Sequence, residues 1–200
     1  MTRLGWGILA LIVVAVAGFV SLLEPRRPGR ASGGVPGVSA TPAAAPTPAA
    51  AVPGKLLVPV AGVALATLRS SWGDARGGGT RGHQGLDIMA PAGTPVLAAS
   101  DGRIERLFRS GLGGTTVYQR SADGAWELYY AHLSGYAPGL AEGQAVRAGQ
   151  VIAFVGDTGD AGPGNYHLHF GLSRMPPGAR WWQGEPLDPY PYLAVSPASR

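Results

Sequence analysis

From Leu56 onward, short apolar segments separated by turn-forming dipeptides dominate the sequence. Four segments have the length of strands and the Val, Thr, Tyr and Trp content typical of them: residues 95–99, 103–108, 115–119 and 126–130. Turn signals separate or follow these segments: Asp101-Gly102, Gly113-Gly114, Asp123-Gly124 and Gly156-Asp157. Short strands joined by tight turns predict a mostly β domain, built as an antiparallel sheet or a small barrel. A helical pattern is found only at residues 61–68, and it is shorter than three turns.

Composition places the chain among folded proteins and limits its partners. Glycine and proline make up a quarter of the 200 residues, but hydrophobic residues make up 46%, more than a disordered chain carries. Residues 54–200 suffice for one domain with its own core. The formal net charge is +4, yet this segment holds 12 Lys and Arg against 11 Asp and Glu. Because the balance is nearly neutral and no basic stripe is present, we expect no nucleic-acid partner.

An uncharged apolar run covers residues 4–23. Twenty helical residues span about 30 Å, the thickness of a bilayer core, and a single run of this kind excludes a polytopic membrane protein. Ala15-Val16-Ala17 offers a signal-peptide cleavage site. The run continues past it to Leu23, which favours a retained transmembrane signal-anchor behind a cytoplasmic tail of residues 1–3.

Residues 24–53 contain seven prolines among many alanines and glycines. Such a segment cannot build a core, and its proline content predicts a semi-extended linker with polyproline character. Thirty residues of this kind hold a domain several tens of ångströms from a membrane, at about 3 Å per residue. The predicted organisation is therefore an anchor, a linker, and a domain over residues 54–200.

The chain has four histidines and no cysteine, so any metal site must use imidazole and carboxylate ligands. His167 and His169 flank Leu168 in a run that has the character of a strand. Residues two apart in a strand point to the same face, so both imidazoles are expected on one side of the sheet and Leu168 and Phe170 on the other.

His83 and Asp87 form a second pair, four residues apart. Gly82 and Gly85 indicate a turn that runs into a strand, on which both side chains share a face and Gly85 leaves that face open. A catalytic zinc site uses three protein ligands and keeps one position open. Each pair alone is also explained by an ordinary polar face, and His132, expected at the end of a strand, by an ordinary edge residue.

In combination, these residues resemble the signatures of the lysostaphin-type zinc metallopeptidases, the M23 family of peptidoglycan endopeptidases that includes the LytM-like proteins. His83 to Asp87 is similar to the family's H-x3-D signature, and His167 to His169 to its H-x-H signature. Tyr130-Ala131-His132-Leu133-Ser134 resembles its central block, and residues 146–159 resemble its glycine-rich block. The resemblance covers about residues 56–192 and implies a mostly antiparallel β fold with the active site in a groove.

The resemblance also implies a role for each of these residues. His83, Asp87 and His169 would bind one zinc ion per chain, and His167 and His132 would be the catalytic histidines. Some family members place a tyrosine in the loop that here reads Gly77-Gly78-Gly79-Thr80. Its role, polarising the scissile carbonyl, is then absent or filled by a histidine or by Arg81.

The implied activity is zinc-dependent hydrolysis of the peptide cross-links of bacterial peptidoglycan. D-alanyl–diaminopimelate cross-links are the first expectation, and glycyl bridges are the alternative. The expected partners are peptidoglycan stem peptides or cross-bridges, and the membrane through the N-terminal helix. Two other functions stay open: a non-catalytic LytM-like regulator of another envelope hydrolase, and a wall-binding module.

Peptidoglycan lies outside the cytoplasm, so we expect a single-pass protein of the cytoplasmic membrane with its domain in the periplasm or cell wall. The arginines around the apolar run oppose this orientation. Three of them, Arg26, Arg27 and Arg30, follow the run, and only Arg3 precedes it. The positive-inside rule alone would therefore place the rest of the chain in the cytoplasm.

Overall fold

A computed structural model describes residues 56–76 and 78–194 of the chain. This part is mostly β, as predicted, and contains thirteen strands and three single 3₁₀ turns. The strands are β1 (Leu56–Leu57), β2 (Ala75–Arg76), β3 (Arg81–Gly82), β4 (Leu86–Met89), β5 (Pro95–Leu97), β6 (Gly102–Ser110), β7 (Gly114–Ser121), β8 (Trp126–Tyr136), β9 (Ala145–Val146), β10 (Val151–Val155), β11 (His167–Arg174), β12 (Glu185–Leu187) and β13 (Leu193–Ala194). The 3₁₀ turns are Leu65–Thr67, Gly159–Ala161 and Tyr190–Tyr192.

All four predicted strands form, as β5, β6, β7 and β8, and the last three extend beyond their expected bounds. The predicted turn at Asp123-Gly124 joins β7 to β8, and Gly124 has a φ of 74°, which residues with a Cβ rarely adopt. The helical pattern at residues 61–68 produces only the 3₁₀ turn Leu65–Thr67. Fewer than three turns of pattern give too few backbone hydrogen bonds to offset the cost of helix nucleation.

The main sheet is antiparallel and has the strand order β12-β11-β8-β7-β6-β9. β4 pairs with the first half of β11, and β12 pairs with its second half. β10 extends the sheet by pairing with the second half of β8 and with β5. The pairings in the described part of the chain follow an open path, so the fold is a sheet rather than a closed barrel. β1 and β13 form a separate parallel pair.

The two faces of the sheet differ in polarity, because side chains alternate along each strand. On one face, Leu128, Tyr130, Leu168 and Phe170 are completely buried in the hydrophobic core. The Tyr130 hydroxyl donates a 2.7 Å hydrogen bond to Gln119 Oε1, so this buried polar group is satisfied. The opposite face carries the histidines and forms the floor of a groove.

The predicted signal-anchor at 4–23, the cleavage site at Ala15-Val16-Ala17 and the linker at 24–53 lie outside the described residues. Within residues 56–76 and 78–194, no helix has both the length and the apolar character needed to cross a bilayer. The division of the chain into tail, anchor, linker and domain stays a prediction.

Candidate metal centre and groove

Pairing between β4 and β11 brings two predicted site residues face to face. His169 lies directly opposite Asp87, and His167 lies opposite Met89. His167 and His169 share the groove face while Leu168 is buried in the core, as their strand spacing predicts. The distance from His169 Nδ1 to Asp87 Oδ1 is 3.1 Å.

His83 joins them from the loop between β3 and β4, so the prediction that His83 and Asp87 share a strand face is wrong for His83. Backbone hydrogen bonds to the preceding segment of the chain position His83 instead. Its N–H donates to Asp74 O at 2.8 Å, and its carbonyl accepts from Gly73 N at 2.9 Å. The ring Nδ1 lies 2.7 Å from Ser71 O, which fixes the proton on Nδ1 and leaves the Nε2 lone pair for the centre.

Three ligand atoms form a nearly equilateral triangle. His83 Nε2 lies 2.9 Å from His169 Nδ1, and Asp87 Oδ1 lies 3.1 Å from each nitrogen. A tetrahedral zinc ion with bonds of about 2.0 Å has ligand atoms about 3.3 Å apart. The triangle therefore fits three ligands of one small divalent ion and leaves a fourth position open.

Gly85 makes room for this arrangement. A Cβ at Gly85 would lie 2.6 Å from His169 Cε1 and 2.8 Å from Phe170 O, far inside van der Waals contact. The sequence suggested that Gly85 leaves the face between His83 and Asp87 open. The structure shows that the space is taken by the imidazole of His169.

Arg76, which the sequence analysis did not single out, fixes the second oxygen of Asp87. Its Nη2 lies 2.6 Å from Asp87 Oδ2, while Oδ1 faces the two imidazoles. Burial raises the pKa of Asp87, but its hydrogen bonds with His169 and His83 outweigh burial and hold the pKa well below its usual range. The carboxylate is therefore charged and oriented to use one oxygen at the centre.

His132 reaches the groove through an irregularity in β8. The sequence predicted that the strand ends at His132, but it continues to Tyr136. His132 is the one non-glycine residue with a positive φ in the described part of the chain, at 61°, where the register between β7 and β8 shifts. Such a bulge re-aims a side chain that regular alternation would send elsewhere.

The rings of His132 and His167 lie side by side, with centroids 4.8 Å apart. His132 Nδ1 lies 2.8 Å from Thr158 O, and His167 Nδ1 lies 2.8 Å from Asn165 O. Because Nδ1 of each ring bonds a carbonyl, Nε2 is the nitrogen that stays available for chemistry in the groove. His167 Nε2 is 3.8 Å from Asp87 Oδ1. Burial, aided by the two neighbouring imidazoles, lowers the pKa of His132 below its usual value and favours its neutral form.

The groove has a volume of about 910 Å³ and extends from the histidines along the sheet. Arg81 lies on its lining and pairs with Asp160 Oδ2 at 2.8 Å. Tyr129 forms part of the floor, with its ring 5.8 Å from that of His169. Sequence reasoning missed Tyr129, because regular alternation from His132 would have placed Tyr130 rather than Tyr129 on the groove face.

Beyond Tyr129 the floor carries a buried carboxylate, Glu127. Neither of its oxygens accepts a hydrogen bond from a described residue, although Arg120 Nε lies 3.0 Å from Oε2. Burial raises the pKa of Glu127 to about 8, against the opposing charge of Arg120.

An antiparallel β domain in which two imidazoles and a carboxylate converge in an open groove has the arrangement of a metal-dependent hydrolase. Comparison with known families narrows the class. The model of Peptidase family M23 matches residues 81–189, and the chain belongs to that family.

Three relatives illustrate the similarity. The chain is 40% identical over 131 residues to the L-Ala–D-Glu endopeptidase of Bacillus subtilis, covering 62% of this chain and 39% of that protein. It is 50% identical over 116 residues to the DD-carboxypeptidase/endopeptidase Mpg of Neisseria meningitidis serogroup B, covering 58% of this chain and 24% of that protein. The chain thus spans less than half the length of either relative. The catalytic domain of the antimicrobial peptidase lysostaphin from Staphylococcus simulans has a similar fold, with a TM-score of 0.53 at 31% identity, over 64% of this chain and 94% of that domain.

Proposed function

We propose that the chain is a zinc-dependent endopeptidase that hydrolyses peptide bonds in bacterial peptidoglycan, with one zinc ion per chain. The observation that carries the proposal is the triangle of His83 Nε2, His169 Nδ1 and Asp87 Oδ1, with sides of 2.9 to 3.1 Å. Two further imidazoles, those of His132 and His167, line the same groove. A site built only to bind peptidoglycan or to regulate another enzyme has no need of all five side chains.

In this proposal each part of the site has a task. A zinc ion held by the triangle would act as a Lewis acid on the peptide carbonyl and lower the pKa of water to about 7. Arg76 holds Asp87, and the carbonyl of Ser71 holds His83, in the orientation that binding requires.

His132 and His167 carry out the proton chemistry in this proposal. One takes the proton of the attacking water on Nε2 and passes it to the nitrogen of the leaving amine. The other, in its protonated form, donates a hydrogen bond from Nε2 to the oxygen of the tetrahedral intermediate. Their side-by-side rings, 4.8 Å apart, allow both to reach one scissile bond. Arg81 is held by Asp160, so we assign the polarising role of the missing loop tyrosine to a histidine.

The names of the relatives point to two bonds within peptidoglycan. The Neisseria protein is a DD-carboxypeptidase/endopeptidase, which supports the D-alanyl–diaminopimelate cross-link as the bond cut here. The Bacillus protein is named for the L-Ala–D-Glu bond, which makes that bond the second candidate. We further propose that residues 4–23 anchor the chain in the cytoplasmic membrane and that the domain acts outside it, where this substrate lies.

Digestion of purified peptidoglycan tests the proposal. Wild-type protein with zinc should release soluble fragments, and mass analysis of the new termini identifies the bond. His132→Ala and His167→Ala should keep their zinc but lose about 10²–10⁴ in rate, the usual cost of a missing base or oxyanion donor. Variants that cleave at the wild-type rate would refute the assigned roles. Variants that lose zinc would show that the two histidines are ligands.

A further inference from the structure

We propose that Trp181 and Trp182 form a subsite for a pyranose ring of the glycan strand that carries the stem peptide. The inference rests on the proposed function, because it concerns another part of the same substrate. The two residues lie in the connection between β11 and β12, and both line the groove. We call this pair the aromatic wall.

A hydrogen-bonded turn fixes the aromatic wall at its tip. Gln183 N–H donates to Arg180 O at 2.9 Å, and Arg180 N–H donates to Gln183 Oε1 at 2.9 Å. Trp181 and Trp182 occupy the two central positions of this turn. Two hydrogen bonds thus join the residues on either side of the tryptophans, so the backbone of this turn loses little conformational entropy when a ligand binds.

The sheet anchors the wall from below. The Trp181 ring packs on Tyr118 of β7 at 4.5 Å and on Phe108 of β6 at 5.4 Å. Trp182 meets Trp181 edge-on, with centroids 5.0 Å apart and an interplanar angle of 80°. Trp181 is thus largely used in packing, whereas the Trp182 side chain stays 55% exposed. An exposed tryptophan held rigidly in a substrate groove has the features of a recognition surface.

Among the parts of peptidoglycan, a sugar ring suits the aromatic wall better than a stem residue does. The stem residues are small or charged, and the pyranose rings present the broad faces of C–H groups that suit a tryptophan ring. The negative face of the indole attracts the slightly positive C–H hydrogens of a sugar. The guanidinium carbon of Arg180 lies over one face of the Trp182 ring, 5.3 Å from its centroid, so a sugar would stack on the other face of the indole.

The distance from the metal centre to the wall suits a stem peptide. His169 pairs with Ala131, and Tyr129, two residues away on β8, pairs with Tyr118. Two strand spacings across and two residues along place Tyr118, on which the Trp181 ring packs, about 12 Å from His169. Three or four residues of extended peptide span about 10–14 Å. A glycan strand at the wall therefore places the far end of its own stem peptide at the histidines.

Paired substrates test this assignment. One is a cross-linked muropeptide dimer that keeps its disaccharides, and the other is the same dimer after its sugars are removed with an amidase. For the zinc-loaded full chain, Trp182→Ala should lower kcat/KM on the sugar-bearing dimer roughly 3–10-fold, mainly through KM. Its activity on the sugar-free dimer should stay within about twofold of wild type, because only the sugar contact is lost. Val151→Ala, which trims an exposed side chain of β10 outside the groove, is the control.

Equal losses on both dimers, or no loss on the sugar-bearing dimer, would overturn the assignment. If wild-type protein cleaves neither dimer, the proposed function fails, and the subsite is then tested by binding alone. A β-1,4-linked N-acetylglucosamine tetramer should quench the tryptophan fluorescence of wild-type protein saturably and leave that of Trp182→Ala unchanged. Identical titrations of the two proteins would refute the subsite independently of the peptidase activity.

Discussion

Replacing Arg76 by methionine is expected to weaken zinc binding about tenfold. The guanidinium donates to Asp87 Oδ2 at 2.6 Å and so keeps Oδ1 turned towards the two imidazoles. Methionine has a similar length and cannot donate, so Asp87 gains rotational freedom and loses its partner. Loss of a group that orients a metal ligand costs 10–100-fold in affinity.

Solvent exposure of the Arg76–Asp87 pair places the expected loss of zinc affinity at the low end of that range. The Arg76 side chain is 33% exposed and that of Asp87 is 22% exposed, so water replaces part of the lost hydrogen bond. Tenfold corresponds to about 1.4 kcal/mol of binding free energy. Arg76→Lys keeps the charge without the fork of donors, and an intermediate loss is expected.

A competition titration against a chromophoric chelator measures the zinc dissociation constant directly and does not depend on catalysis. The matched control is Arg81→Met on β3. It removes the ion pair between Arg81 and Asp160, whose 2.8 Å distance is close to the 2.6 Å of the Arg76–Asp87 pair. Asp160 lies outside the ligand triangle, so this control should bind zinc within about twofold of wild type. If Arg76→Met and Arg81→Met bind zinc equally well, Arg76 does not position Asp87 and the reasoning is wrong.

Two further variants test the groove. Gly85→Ala should lower zinc affinity at least tenfold, because its methyl carbon would lie 2.6 Å from the His169 ring. The control Gly135→Ala meets no atom within 4 Å and should bind zinc like wild type. Equal zinc content in the two variants would contradict this prediction. For Glu127, burial raises the pKa from 4.5 to about 8. The folded state therefore holds this proton more tightly than the unfolded chain, so stability present below pH 4.5 is lost as the pH rises towards 8. Urea unfolding should show a decline of at most about 1.4 kcal/mol per pH unit in wild type that Glu127→Gln lacks; an equal decline in the variant would rule out Glu127 as its source.

Local patterns predicted the parts of this structure that depend on local geometry. Strand alternation was enough to place His167 and His169 on one face, because the two-residue period holds wherever a strand is regular. The turn dipeptides located the strand ends for a similar reason, since their backbone preferences act over a few residues. The fold class followed from the same features.

Sequence reasoning failed where the chain departs from a regular strand or folds back on itself. His83 lies in a loop and meets Asp87 through hydrogen bonds to Asp74 and Ser71, which no periodicity encodes. His132 reaches the groove through a bulge whose position depends on the register of β7. Arg76 carried no signal at all, because its contact with Asp87 exists only after the hairpin β2–β3 has formed.

We propose that one zinc ion, bound by His83, Asp87 and His169, gives this chain its peptidoglycan endopeptidase activity. The most direct measurement is to titrate zinc into the metal-free full chain while following peptidoglycan hydrolysis in the same samples. Activity should rise in proportion to added zinc and level off at one equivalent per chain, and His169→Ala should show neither tight binding nor activity. Full activity without zinc, or a plateau reached only at two equivalents, would show that a single bound zinc ion is not what activates the chain.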